Sequence, residues 1–285
     1  MKLSVIIPTY NRCEILLKSL RAFEAQTLSP GDFEIIIASD GSTDDSAQKV
    51  KEFSGSSRLN IKFLDLPHIG LPAVRNAGIK QAKGEVIVFM NDDTMPAHPD
   101  FLVKHLEHVT PETACIGFVE WHPELEKTEV MDYLSPRGPL LNFSKIRNPD
   151  DCGWYFFITG NISLCKHWFD EEQFDEKHPL GNEDNEFGYR ISKHGLRITY
   201  APEIIAYHHH YFPDFETYFE SKKKCVGSYQ YMIAKHPELC KPFYRRFARR
   251  HLHKFVHVAY KLTGLKSLRN FWWTCRIASA LEQCP

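Results

Sequence analysis

No run of apolar residues approaches the roughly 18 that a membrane-spanning helix needs, so nothing in this sequence is expected to cross a bilayer. The eight cysteines of the 285-residue chain include no C-x-x-C pair. That argues against a disulfide framework or a zinc knuckle, and for reduced thiols in the cytoplasm. Net charge is almost absent, a formal −1 from 35 basic and 36 acidic side chains. With 43% apolar residues, this balance excludes a disordered chain. Neither a G-x-G-x-x-G fingerprint nor a Walker-type phosphate loop occurs, which disfavours dehydrogenases and ATPases. Internal repeats and low-complexity tracts are missing as well. The start, Met1 to Pro8, imitates a signal peptide for a few residues, but Pro8, Asn11 and Arg12 interrupt it and it reads as a first β-strand.

The charge that is present is unevenly spread. Residues 241–285 hold ten Lys/Arg against the single acid Glu282, a net of +9, so the first 240 residues carry −10. An acidic body with a basic, aromatic-containing tail is the one asymmetry in the composition.

Periodicity supplies the fold class. Leu3–Ile7, Glu34–Ser39, Asn60–Leu64 and Glu85–Met90 read as strands; Cys13–Gln26, Thr43–Phe53 and Leu71–Ala82 read as helices between them. This alternation predicts βαβ units in a parallel sheet. Right-handed crossovers then gather the loops after the strands along one edge, where ligands of open α/β sheets bind. Further on, Ala114–Val119 and Trp154–Leu164 read as strands, Asn185–His194 as a helix, and Arg197–Tyr200 and Ile204–His208 as extended segments. Polar residues with Pro123, Pro136, Pro139 and Pro149 predict long loops over 121–152. Helices are expected over roughly 214–235, 242–262 and 265–281.

Four clusters carry chemistry. Asn91-Asp92-Asp93 follows an apolar strand, and two adjacent carboxylates there repel unless a divalent cation joins them; carboxylate oxygens suit Mg²⁺ or Mn²⁺. The competing reading is a solvated turn. In Asp40 to Asp45, Ser42 or Thr43 can cap the next helix, with Asp44 and Asp45 favoured by its dipole. Asp40 precedes the cap and suits the imide N–H of a uracil or thymine. Glu183-Asp184 opens a helix, where acids are at home; near a metal cluster, a carboxylate there also suits a base that deprotonates a hydroxyl nucleophile. Of His208-His209-His210, strand alternation allows at most two to serve one site.

The segments LSVIIPTYNR, FEIIIASDGSTDDS, GLPAVRNAGIKQAKGEVIVFMNDD, FITGNISLCKHWF, GNEDNEFGYRISKHG and ITYAPEIIAYHHH span residues 3–210. In order and spacing they resemble an inverting family 2 glycosyltransferase of the GT-A fold. The resemblance implies an α/β, Rossmann-like and mostly parallel sheet with helices on both faces, extended by C-terminal helices. It implies transfer of a sugar from a nucleotide-diphosphate donor, UDP- or dTDP-linked, to an acceptor hydroxyl on a glycan or lipid-linked saccharide, with Mg²⁺ or Mn²⁺ as cofactor. By position, Pro8, Thr9, Asn11, Arg12, Asp40, Arg75, Asn76, Asn91 and Asp92 fall at the donor nucleotide, and Asp93 and His208 at the metal. Gly160 and Asn161 fall at the acceptor and donor sugar, and Asp184 at the catalytic base with Glu183 its neighbour. Two positions depart from the family pattern: Val74 replaces an alanine, and Asn91 replaces the first aspartate of the metal motif.

The expected organisation is a nucleotide-sugar-binding half over 1–105, an acceptor-binding half over 106–212 and a basic helical extension over 213–285. The extension suits the inner face of an anionic membrane, or alternatively a homo-oligomer interface. Nucleic acid is not an expected partner, since the body is acidic. Two other classes compete. A sugar-phosphate nucleotidyltransferase would need a glycine-rich basic loop that residues 8–12 do not form. A catalytically silent nucleotide- or carbohydrate-binding module would show a damaged acidic set, and only Asn91 speaks for that.

Overall fold

The computed structural model describes residues 1–138 and 140–239. The helices expected over 242–262 and 265–281, and with them the basic tail, lie outside the described residues. In chain order the elements are β1 (Leu3–Thr9), α1 (Cys13–Phe23), β2 (Phe33–Asp40), α2 (Ser46–Ser56), β3 (Ile61–Leu66), α3 (Leu71–Gln81), β4 (Val86–Met90), β5 (Thr94–Pro96), α4 (Phe101–His108) and β6 (Thr113–Trp121). There follow α5 (Glu129–Leu134), β7 (Asn161–Cys165), α6 (Trp168–Glu171), α7 (Glu183–Lys193), β8 (Arg197–His208), α8 (Phe215–Lys224) and α9 (Val226–Lys235).

The chain divides into two compact units. The larger one, residues 1–126, 135–177 and 183–210, contains the sheet, whose order is β3-β2-β1-β4-β7-β6-β8-β5. The expected parallel core is present in β3-β2-β1-β4 and again in β6-β8. Strand β7 runs antiparallel to both β4 and β6, and β5 antiparallel to β8. Strand alternation sends side chains to two faces. Leu3, Val5 and Ile7 of β1 pack with Leu16, Leu20 and Phe23 of α1, Val50 of α2 and Phe101 of α4. Ile6 and Ile36 pack with Ile79 of α3, Phe169 of α6 and Phe187 and Ile191 of α7 on the other face. Helices therefore cover both faces, as the family resemblance implies.

Several expectations are corrected. The segment read as one strand over 154–164 is a 3₁₀ turn at Trp154–Phe156 followed by β7. Its aromatic-rich start packs onto α7 instead of pairing: Gly188 sits so close to Phe157 that a Cβ would lie 2.5 Å from that side chain. The two extended segments after residue 197 form one strand, β8, against which β6 shifts register between Gly117 and Phe118. At that bulge Gly117 lies against the Ile204 carbonyl, leaving no room for a side chain. Residues 121–152 are not all loop, because α5 buries Val130, Met131 and Leu134. The helix expected over 43–53 starts at Ser46, and neither Ser42 nor Thr43 caps it. Asp44 instead accepts the Ser46 N–H at 3.1 Å and the Cys13 N–H at 3.0 Å, serving the starts of α2 and α1 together.

The second unit comprises, among the described residues, 127–134, 178–182 and 211–239. The single helix expected over 214–235 is broken into α8 and α9 at Cys225. Within this unit Thr128 donates to the Phe212 carbonyl at 2.7 Å, and Asn182 donates to Ser228 Oγ at 2.9 Å. Among the described residues, no helix is long and apolar enough to cross a membrane.

Candidate active site

Register brings the chemical clusters to one edge of the sheet. Because β4 and β7 are antiparallel with Met90 opposite Asn161, Asn91 emerges beside Gly160. A Cβ built on Gly160 would meet the Asn91 side-chain nitrogen at 3.5 Å, ordinary contact distance. Thr94 of β5 pairs with His208 of β8, so the residues just before Thr94 and just after His208 also meet. The Asn91–Thr94 turn is closed by the Thr94 hydroxyl, which accepts the Asn91 N–H and donates to its carbonyl, both at 2.9 Å.

At the centre lie two buried carboxylates. Asp92 accepts from Thr9 at 2.8 Å, and the Arg12 guanidinium reaches Asp92 Oδ1 and Asp93 Oδ2, each at 2.9 Å. Asp93 also meets His208 Nε2 at 3.5 Å through Oδ1 and His210 Nδ1 at 3.3 Å through Oδ2. Burial pushes the Asp92 carboxyl up to about 6, against Arg12, which lowers it, with Asp93 adding to the rise. Burial acts on Asp93 in the same sense, but hydrogen bonds and charge from His208, then His210 and Arg12, hold it well below the usual carboxylate range. Asp93 is thus the more acidic of the two.

The donor atoms of Asp93, His208 and His210 all lie within 4.8 Å of one another. One hard carboxylate with two imidazoles fits a divalent cation such as Mn²⁺. The sequence nominated Asp93 and His208; His210 was missed as a partner. Strand alternation, which puts 208 and 210 on one side, was the signal that contained it.

At the end of β2, Asp40 Oδ1 accepts the Ile69 and Gly70 N–H groups at 2.7 and 3.0 Å. Oδ2 faces His68 Nδ1 at 3.1 Å. Gly41 adopts φ +75° with the His68 backbone nitrogen 2.8 Å from where a Cβ would be, so this approach requires glycine. Tyr10, 46% exposed, lies with its ring 4.8 Å from that of His68. Neither ring was singled out from sequence, because nothing local announces that residues 10 and 68 converge.

The other nominated residues make the following contacts. Pro8 lies within β1 beyond Ile6, where the pairing to β4 stops. Asn11, at φ +52°, accepts from the Thr43 N–H at 2.7 Å and ties the first loop to the second. Asn76 donates to the Phe174 carbonyl and accepts its N–H, pinning the chain before α7. Asn161, expected at the acceptor, is fully buried; it donates to the carbonyls of Phe118 and Ile204, each at 2.9 Å, and meets His105 Nε2 at 3.0 Å. Its amide is thus engaged inside the sheet. His105 in turn is fully buried between Asn161 and Ser163, and burial lowers its pKa to about 3, so it is a neutral core histidine.

The last cluster is built on the first turn of α7. Asp184 accepts the Asn185 N–H at 2.8 Å and, more loosely, the Thr159 N–H and hydroxyl at 3.3 and 3.4 Å. Thr159 precedes Gly160, so Asp184 is one residue removed from the Asn91 contact. Glu183 binds Arg75 at 2.6 Å, and Arg75 also donates to Thr159 Oγ1 at 2.7 Å. Burial and the neighbouring Glu183 push the Asp184 carboxyl up to about 6. Arg75 is only 2% exposed and is engaged in this buried ion pair beside Asp184. Arg75→Met leaves Glu183 buried without the guanidinium charge and is expected to cost about 3–5 kcal/mol in urea unfolding. Arg75→Met/Glu183→Gln should recover much of that loss, and equal instability of both variants would deny the coupling.

Comparison with known proteins follows the same outline. The sequence profile described as Glycosyl transferase family 2 matches residues 4–172. Validoxylamine A glucosyltransferase of Streptomyces hygroscopicus subsp. limoneus is 30% identical over 229 residues, 70% of this chain and 50% of that protein. Chondroitin synthase of Escherichia coli is 31% identical over 240 residues, 72% of this chain and 34% of that protein. The chain thus spans about half the length, or less, of these curated relatives. Among solved structures, the mannosyltransferase PcManGT of Pyrobaculum calidifontis, in complex with GDP-Man and Mn²⁺, superposes with a TM-score of 0.68 at 13% identity, covering 99% of this chain and 86% of that one. S. aureus TarS 1–349 with UDP gives 0.56 at 18% identity, covering 80% and 65%. At these identities the likeness concerns the fold, which is that of the GT-A glycosyltransferases.

Proposed function

The chain belongs to glycosyl transferase family 2, and from that premise we propose that it is an inverting, metal-dependent glycosyltransferase. The donor is a nucleotide-diphosphate sugar, UDP- or dTDP-linked, and the acceptor is a hydroxyl on a saccharide or lipid-linked saccharide. The observation that carries this reading is the convergence of three groups on one sheet edge. They are Asp40 with Tyr10 and His68, Asp92 and Asp93 with His208 and His210, and Asp184 beside Thr159. Residues 1–105 supply the donor half and 106–212 the acceptor half in this reading.

Each group has a task matched to its chemistry. Asp40 Oδ2, the oxygen not used by the backbone, accepts the imide N–H of the pyrimidine, while the exposed Tyr10 ring offers a stacking face. Asp93, His208 and His210 hold the cation, with Asp92 and Thr9 toward the ribose or diphosphate. A divalent cation there supplies Lewis-acid neutralisation of the charge that builds on the departing nucleotide diphosphate. Arg12 adds a guanidinium to the same charge field. Asp184, remote from these along the chain, takes the proton of the acceptor hydroxyl as that oxygen attacks the anomeric carbon from the face opposite the leaving group. Attack from the opposite face in a single displacement inverts the anomeric centre, as in other carboxylate-assisted inverting reactions. The relatives add support for the donor class: UDP and UDP-GlcNAc complexes of TarS, and a GDP-Man and Mn²⁺ complex of PcManGT.

The direct test is thermal stabilisation by a panel of nucleotide sugars with Mn²⁺ present. A ligand at 100 times its Kd stabilises by about 2.7 kcal/mol, a readily measured rise in Tm. A uridine or thymidine diphosphate sugar is expected to give the largest rise, and Asp40→Ala to reduce it. No response to any nucleotide sugar would overturn the reading.

A further inference from the structure

The three consecutive histidines do not all face Asp93. His208 and His210 do, while His209 projects to the other side of the extended chain, as alternation requires. There its Nε2 stands 4.0 Å from Glu124 Oε2, and the same oxygen lies 3.9 Å from His122 Nδ1. The two imidazole rings are 4.9 Å apart and tilted by 56°. We propose that His122, Glu124 and His209 form a second metal site, for a borderline transition cation of the zinc class, which staples the turn after β6 to the end of β8.

The distances distinguish this from a hydrogen-bonded cluster. Separations of 3.9 and 4.0 Å exceed hydrogen-bond length, so no direct bond between these side chains holds them together. Yet their ligand atoms all lie within 4.8 Å of one another. Ligands on a common tetrahedral zinc, with bonds of roughly 2.0–2.2 Å, stand roughly 3.5 Å apart. The two histidine–carboxylate separations exceed this by about half an ångström, which the 68% exposed Glu124 side chain can close. The two imidazole nitrogens, no more than 4.8 Å apart, have at most about 1.3 Å to give. Two imidazoles and one carboxylate also match the donor preference of that metal class.

The backbone beneath is already in place. The His122 N–H donates to the His208 carbonyl at 3.0 Å, and the His209 N–H to the Asp93 carbonyl at 2.8 Å. The Leu125 N–H closes the turn on the His122 carbonyl at 3.0 Å. His122 Nδ1 accepts the Glu124 N–H at 3.2 Å, a bond that a metal on Nδ1 would replace because that nitrogen has a single lone pair. The opposing group is Lys18, whose ammonium lies 3.8 Å from Glu124 Oε2 on an exposed, movable stem.

Zinc stoichiometry on the metal-stripped full chain tests this without reference to transfer. The wild-type chain is expected to take two Zn²⁺, one at each side of the histidine triplet. Asp93→Asn/His210→Gln should keep one, and adding Glu124→Gln to that background should weaken the remaining binding at least tenfold. Glu124→Gln alone alters an exposed side chain and leaves the fold intact, so it serves as the clean variant. Co²⁺ in the Asp93→Asn/His210→Gln protein should show the intense visible bands of low coordination, lost on adding Glu124→Gln. Zinc binding by that background that is unchanged by Glu124→Gln, or a background that binds none, overturns the proposal.

Discussion

Asp184→Asn is expected to lower the single-turnover rate of sugar transfer by roughly 10²–10⁴, the usual worth of a general base, while nucleotide affinity changes little. The expectation rests on position and on charge. Asp184 is held by the Asn185 N–H and the Thr159 N–H and hydroxyl, none of which touches the Asp92–Asp93 cluster. Its carboxyl is raised to about 6 by burial and by Glu183, so it is ionised at neutral pH yet a stronger base than an exposed carboxylate. The sign follows: the base works only when deprotonated, so the rate at saturating donor should fall as pH drops through about 6. In Asp184→Asn that acid limb should disappear along with the rate. Full turnover by the variant would remove Asp184 from the reaction. An unchanged acid limb on the residual rate would assign the limb to another group.

Chelation of divalent metal is expected to bring transfer to background, with recovery on adding Mn²⁺ or Mg²⁺. Asp93→Asn should impose the same loss without recovery. The donor diphosphate is itself anionic and would approach a site where Asp93 is firmly ionised and Asp92 is ionised at neutral pH. One Arg12 guanidinium, already shared between the two carboxylates, does not offset both them and the incoming phosphates. Asp93→Asn separates this site from the cluster of His122, Glu124 and His209, which a chelator would strip as well. Undiminished transfer in chelator would mean that Arg12 and the histidines neutralise the diphosphate alone.

The legible part of the protein was the part written locally. Strands β1 to β4 and the helices between them follow from apolar periodicity, and Asp40 and Asp92-Asp93 stand where such strands end. The acid-rich start of α7 is likewise a local signal. Boundaries failed where tertiary packing competed with propensity: residues 154–157 are rich in aromatics and look strand-like, but pack onto α7 through Phe157, Phe187 and Gly188. The resemblance placed Asn161 at the sugar, and no local signal announced that at the Gly117 bulge its amide would bond the Phe118 and Ile204 carbonyls inside the sheet.

By itself, the order of residues determined the family, the alternating α/β layout and the places along the chain where acids cluster, because all three depend on neighbours within a few positions or on motif spacing. Tertiary structure alone decided which clusters meet and what occupies them. It placed Arg12 on both carboxylates, sent His210 to Asp93 and His209 to Glu124, and turned Arg75 to Glu183 beneath Asp184. The reason is that strand order and direction are set by pairings between distant segments. The antiparallel insertion of β7 between β4 and β6 brings Thr159 and Gly160 to the edge where Asn91 emerges, and nothing in the short-range pattern of either segment encodes that pairing.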